Sequence, residues 1–369
     1  MALGTIKVAT VALAVLGGLA VAACSDILGI GDRTLDPVAG GGDGGGGDGG
    51  ASCADPCPMA LALNHPFSMA ADEVNVYWTE YGGSDDDNGS VKSCPVTGCG
   101  SGPLVYAQLQ AAPRGIAVDA QSVYWATATT SAGAGAILSC PIGGCTGSPT
   151  KVAKADTPFG LAVDATSVYW AEFYQNTVNR APKGGGAVGL VWDGGEATSR
   201  PNGPQEIVVD PAFVYINDQN AAVFRVAIGG GNLIPMYTDQ NQNPVGVFGL
   251  AVDPKDVYIG DLGGIFQMNK VATSGATTLV PNITDVVDLK VDPLGGTLYW
   301  ADFGSAPSDG TVGKVALDGT APVVLEQALA TPEAVAVNST YLFWVSSGTL
   351  SADGSSVADS TGALYRTGK

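Results

Sequence analysis

The residues of this 369-residue chain with the most obvious chemistry are seven cysteines, a single histidine and a run of aspartates. Six cysteines fall into three close pairs, Cys53/Cys57, Cys94/Cys99 and Cys140/Cys145. Two of the pairs share a setting, Ser93-Cys94-Pro95-Val96-Thr97-Gly98-Cys99 and Ser139-Cys140-Pro141-Ile142-Gly143-Gly144-Cys145. Proline and glycine make a tight turn that brings two Cβ atoms together, and an exported compartment permits the bond. Local disulfides are therefore expected at all three pairs. Metal ligation is the competing chemistry for closely spaced cysteines. Against it, the pairs belong to adjacent repeat units and no histidine stands in a comparable motif.

His65, the only histidine, is a weak catalytic candidate. A general base needs an orienting partner, and the neighbouring sequence offers none. Asp85 and Asp87, in Ser84-Asp85-Asp86-Asp87-Asn88-Gly89, are weak calcium candidates: no bidentate glutamate follows at the spacing a calcium loop needs, so a solvated hairpin tip is expected. No other cofactor is expected. Nucleophile-elbow, zinc-protease and phosphate-cradling motifs are all missing. The formal net charge is −19, with 16 scattered Lys and Arg. That excludes a nucleic-acid partner, which needs clustered cations, and docking on an anionic lipid surface.

The elements that must position these residues come from one repeated pattern: apolar-Ala-Val-Asp, a short turn, then Val-Tyr-Trp. Its copies are Met69–Asp72 with Tyr77-Trp78, Ile116–Asp119 with Tyr124-Trp125, and Leu161–Asp164 with Tyr169-Trp170. Ile207–Asp210 with Tyr215-Ile216 and Leu250–Asp253 with Tyr258-Ile259 follow, then Leu289–Asp292 with Tyr299-Trp300 and Val335–Asn338 with Phe343-Trp344. The 266 residues from Asp72 to Asn338 hold six intervals, a mean period of about 44. Short strands at that period predict an all-β, seven-bladed β-propeller with four strands per blade over residues 53–369. In unit 3 the strands are expected at 160–163 (innermost, a), 167–173 (b), 177–181 (c) and 187–192 (d). The seventh unit lacks an outermost strand, and Met59–Leu63 is expected to supply it and close the ring, which removes free edges.

Three residues after the Tyr of the repeat stand Glu80, Glu172, Asp218, Asp261 and Asp302, with Thr127 and Ser346 in units 2 and 7. Tyr299-Trp300-Ala301-Asp302, followed by Leu317-Asp318-Gly319, resembles the YWTD (LDL-receptor class B) repeat, with kinship to NHL-type propellers. The resemblance implies that the acidic residue is structural and hydrogen-bonds the neighbouring blade. YWTD propellers usually have six blades, whereas this chain has seven repeats.

The N-terminus reads as a targeting segment. Lys7 precedes an apolar stretch, Val8 to Ala20, that ends at Val21-Ala22-Ala23-Cys24. This resembles the lipobox of bacterial lipoproteins. The resemblance implies a signal peptide over 1–23, lipidation at Cys24, and contact with membrane through the lipid anchor only, at the cell envelope. Ser25 after the cysteine favours the outer membrane by the same resemblance. Residues 24–52, rich in glycine, offer no apolar surface and read as a disordered, flexible tether.

In a propeller the d–a and b–c loops share the face at the mouth of the axial channel. The residues entering strand a are Phe67, Arg114, Phe159, Gln205, Phe248, Val287 and Glu333, with Glu206 and Asp288 one place on. These break the repeat with aromatic, polar and charged types and form the candidate ligand face. The function expected is a non-catalytic binding or scaffold domain, monomeric, for a protein, peptide or glycan ligand. The alternative is a lactonase- or lyase-type enzyme acting at the same face.

Overall fold

The computed structural model describes residues 56–82, 88–129, 133–194, 203–219, 222–238, 249–304, 308–348 and 361–369. The chain divides into two units, Met1–Ser52 and Cys53–Lys369, and every described residue belongs to the second. The expected signal peptide, Cys24, the tether, Cys53, Asp85, Asp87 and Phe248 lie outside the described residues.

Seven four-stranded antiparallel sheets follow one another along the chain, as the repeat count requires. They occupy residues 66–110, 113–154, 158–193, 204–238, 249–281 and 286–329, and the seventh combines 332–368 with 57–63. In blade 3 the strands are Pro158–Val163, Ser167–Glu172, Thr177–Pro182 and Gly189–Asp193. The closing strand is Cys57–Leu63, paired antiparallel with Gly362–Gly368, so that Cys57 faces Arg366 and Leu63 faces Gly362. It begins two residues before the expected start. Met59 and Leu63 turn into the core, while Leu61 is exposed.

Strand b explains why the repeat carries a Tyr-Trp pair. Adjacent side chains on a strand point to opposite faces, and each blade is covered on both. Tyr77 therefore packs with Trp125 of the next blade, Tyr124 with Trp170, Tyr258 with Trp300, and Tyr299 with Trp344. Phe343 meets Trp78, which closes the ring of contacts. In the two gaps where Trp is replaced, Tyr169 meets Ile216 and Tyr215 meets Ile259. Seven apolar clusters thus fill the gaps between successive blades. All five repeat tryptophans are fully buried.

The acidic residue after the pair serves the tryptophan and the chain crossing between blades. Glu80 accepts from Trp78 Nε1 at 2.9 Å and from the Asn64 amide at 3.1 Å. Glu172 accepts from Trp170 Nε1 at 2.8 Å and from the Thr157 amide at 2.7 Å. Asn64 and Thr157 lie in the connections that bring the chain over from the preceding blade. Asp261 reaches that blade directly, taking the Tyr237 hydroxyl. In unit 7, where Ser346 replaces the acid, the buried Trp344 Nε1 has no partner among the described residues.

At the a–b turns the repeat Asp makes a second recurring contact. One carboxylate oxygen takes the amides two and three residues on, as Asp164 takes Thr166 and Ser167 at 2.7 and 2.8 Å. The other takes the Tyr hydroxyl five residues on, at 2.8 Å for Tyr77, 3.0 Å for Tyr215 and 2.9 Å for Tyr258. In unit 7 Asn338 and Phe343 have replaced both partners of this latch together. Lysines from the following blade then clamp the same carboxylates: Lys183 to Asp119, Lys270 to Asp210 and Lys369 to Asp292, each at 2.6 Å. Cys94–Cys99 and Cys140–Cys145 are disulfides across c–d turns, with Cα atoms 4.8 and 5.1 Å apart. Cys57 is also disulfide-bonded.

Candidate functional site

The inner strands, Pro66–Ala71, Pro113–Val118, Pro158–Val163, Pro204–Val209, Gly249–Val252, Val286–Val291 and Pro332–Val337, surround an axial cavity of about 690 Å³. All seven contribute to its wall. Small residues are needed where they crowd: a Cβ on Gly115 would sit 2.6 Å from the Phe159 carbonyl oxygen. Four residues before the repeat Asp or Asn, the seven blades carry Ser68, Gly115, Gly160, Glu206, Gly249, Asp288 and Ala334. Two places further on stand Ala70, Ala117, Ala162, Val208, Ala251, Lys290 and Ala336. Blades 4 and 6 therefore introduce charge where the rest of the ring is small and uncharged, with only Gly249 and Ala251 of blade 5 between them.

These charges are partly tied to one another. Lys290 Nζ bonds Asp288 Oδ1 and lies 4.0 Å from Glu206 Oε1. Asp288 also takes the Leu289 amide at 2.8 Å and, across the seam to blade 7, the Val335 amide at 3.0 Å. Burial pushes Glu206 well above the ordinary carboxylate range, with the Asp288 charge adding to it and Lys290 and the Leu250 amide opposing. Burial works against the Lys290 ammonium, but Asp288 and Glu206 outweigh it and raise its pKa. The lysine is held charged.

Glu333 is different. Its carboxyl accepts from Ser347 Oγ and pairs with no cation among the described residues. Burial raises its pKa to about 7, against the opposing Ser347 hydrogen bond. Gln205 Oε1 is buried without a partner. Both line the cavity, as do Phe67, Phe159, Glu206 and Asp288.

Arg114 does not line the cavity. Its guanidinium lies over the Phe159 ring, 4.1 Å from the centroid, and 5.8 Å from that of Tyr81. No carboxylate pairs with it among the described residues, and its buried Nε is unpartnered. Phe67 and Phe159 meet edge to face at 5.9 Å, and Phe159 continues to Phe173 at 5.5 Å. This aromatic floor spans blades 1 to 3 at the d–a side.

His65 sits in the connection entering blade 1, with Nδ1 3.0 Å from Asn64 Oδ1. Its φ of 52° is shared by Ala112 (37°), Gly203 (61°), Asp285 (58°) and Thr331 (45°) at the same place in other blades. The His65 carbonyl accepts the Tyr81 amide at 2.8 Å. The backbone thus recurs at this turn whatever the side chain. Among the described residues no three His, Cys, Asp or Glu side chains converge to hold a metal ion, and no helix is long and apolar enough to cross a membrane.

Lys290 and Ser347 were not singled out by sequence. Lys290 had a readable signal, since every other unit has Ala or Val at its place. Ser347 had none, because its role depends on where the b–c connection of blade 7 meets Glu333.

No family model matches the chain, and no curated protein matches it. Solved structures do. The WD40 β-propeller domain of Doa1 is similar at a TM-score of 0.60 and 11% identity, over 84% of this chain and 96% of that one. A computationally designed protein, Ika8, is similar at 0.56 and 13%, over 85% and 98%. A chain of a nidogen/laminin complex is similar at 0.49 and 17%, over 64% and 90%. At these identities the likeness concerns the propeller fold alone.

Proposed function

We propose that this protein is a lipid-anchored binding domain of the bacterial cell envelope, whose ligand seats in the axial channel from its d–a side. One observation carries the reading: a cavity touched by all seven blades holds charged side chains where the repeat otherwise keeps small uncharged ones. Propellers suit binding because many loops and inner strands converge on one opening. The anchoring half rests on the apolar stretch before Cys24. Multiple acyl chains would hold the protein stably, since each buried CH₂ contributes roughly 0.8 kcal/mol. Kinship with YWTD propellers is part of this proposal and rests on the Tyr-Trp-x-acid pattern.

The channel half is tested by thermal-shift screening of small ligands against the full chain and an Ala336→Trp variant, which puts an indole on the cavity wall. Compounds that raise Tm for the native chain and not for the variant are expected. Ligands that stabilise both equally would overturn the channel reading. Cys24→Ser is expected to release the protein from the membrane fraction; unchanged membrane association would overturn the anchor.

A further inference from the structure

Resting on the channel reading above, we infer that the channel takes an organic amine, an ammonium group on an apolar body, with Glu333 as its anionic acceptor and Phe67 and Phe159 as its apolar seat. The wall already contains an example of the chemistry. In blade 6 the chain places its own alkylammonium, Lys290, against Asp288 and Glu206, at a repeat position that is otherwise Ala or Val. Asp288 is bonded to that lysine and Glu206 lies 4.0 Å from it. Glu333, from the adjacent blade 7, is the carboxyl in the same cavity that has no cation among the described residues, only the Ser347 hydroxyl.

Further observations favour a donor-bearing ligand. Gln205 Oε1, on blade 4 across the ring from blade 7, is a buried acceptor without a donor. The cavity's carboxyls, Glu206, Asp288 and Glu333, outnumber its one lysine. Most of its remaining wall is apolar: valine, leucine and alanine from the inner strands, with aromatic edges at Phe67 and Phe159. An ammonium beside an aromatic face gains further attraction from the ring quadrupole. A carboxylate ligand would meet Glu333 and Glu206, with no free cation among the described residues of the lumen. Arg114, which pairs with no carboxylate among the described residues, lies outside the lining. An arriving ammonium would favour the ionised form of Glu333, which burial disfavours in the free protein, so binding near pH 7 displaces a proton from this carboxyl to buffer.

The test is isothermal titration of the full chain with benzylamine, N-acetylbenzylamine and benzoate, three probes that share a ring and differ in charge. Benzylamine is expected to bind at least tenfold tighter than either of the others, about 1.4 kcal/mol. Its heat should depend on the buffer's ionisation enthalpy. Glu333→Gln should remove both the preference and the buffer dependence, while its far-ultraviolet spectrum and melt show it folded. Lys290→Ala vacates the internal ammonium site and should raise benzylamine stoichiometry from one to two. Equal binding of the three probes, an unchanged preference in Glu333→Gln, or no second site in Lys290→Ala would overturn the amine assignment. If N-acetylbenzylamine or benzoate binds as well as benzylamine and Ala336→Trp abolishes it, the amine assignment falls and the channel reading stands. If none of the three binds, the amine assignment falls and the channel reading is decided by its own screen.

Discussion

The two ends of the ring treat charge in opposite ways. At the a–b turns every repeat carboxylate is satisfied several times over: Asp210 takes two amides, the Tyr215 hydroxyl and the Lys270 ammonium. Asp119, Asp164 and Asp210 are each pushed up by burial, yet these partners hold them below the ordinary range. At the channel, Glu333 has one hydroxyl and Gln205 Oε1 has no partner among the described residues; Arg114, outside the lining, rests on a ring. Arg225 qualifies the contrast on the latched side: it bonds the Val271 carbonyl at 3.2 Å but leaves Nε and Nη1 buried and unpartnered over Phe213. Saturated polar groups hold blades together, whereas unsaturated ones at a cavity are available to something else.

The contrast breaks if the latch face proves dispensable. Asp210→Ala strands a partly buried lysine and a buried tyrosine hydroxyl, and should destabilise by about 3–5 kcal/mol in urea unfolding. The channel end should respond with the other sign. The folded-state pKa of Glu333 near 7 lies above its ordinary 4.5, so the folded protein binds a proton that the unfolded chain has released. Its favourable protonated contribution is complete below about pH 4.5 and is lost as pH rises through 7. Glu333→Gln should therefore gain on the order of 2–3 kcal/mol over the native protein at pH 8 and little at pH 4. Asp302, raised to about 6 chiefly by burial, adds to the same alkaline loss. The latch aspartates run the opposite way, and their contribution is lost as pH falls below their ordinary 3.8. A native stability profile that is flat from pH 3 to 8 would contradict both halves.

Smaller effects sharpen the comparison. Restoring the missing latch in blade 7 with Asn338→Asp and Phe343→Tyr together should cost less than the sum of the two single changes, with a coupling of about 1 kcal/mol in a double-mutant cycle. The Asn338 bond to the Asp72 carbonyl is what the single Asp change gives up. Arg114→Ala should alter stability least, by about 1 kcal/mol or less, since it removes a ring contact and no ion pair. A loss above 3 kcal/mol would place Arg114 with the latch residues.

Fold was legible in the sequence because its determinants are local and repeated: Tyr-Trp sets strand b, Asp sets the turn before it, and the count of copies sets the number of blades. Ring closure was legible from a missing strand at one end and a spare one at the other. The channel was readable only in part. Residues entering strand a stood out from the repeat, yet Arg114 proved to lie outside the lining although Phe67 and Phe159 on either side belong to it. Its direction is decided by packing on Phe159, which the repeat register does not specify. The Glu206–Lys290 proximity spans blade 5, so it depends on ring curvature rather than on spacing along the chain. Pairing of Cys94 with Cys99 and of Cys140 with Cys145 followed from local turns and was found as expected.

The clasp between Cys57–Leu63 and Gly362–Gly368 also bears on assembly kinetics. Cys57 and Arg366 are 309 positions apart, so the earliest-made strand must wait, unpaired, for the last. Blades 1 to 6 can form as they emerge, but the circle stays open, with exposed edges prone to mispairing, until the final strand arrives. Closure is then a late event joining strands far apart in the sequence, and the slow step of folding should respond to changes in blade 7 more than in blade 3.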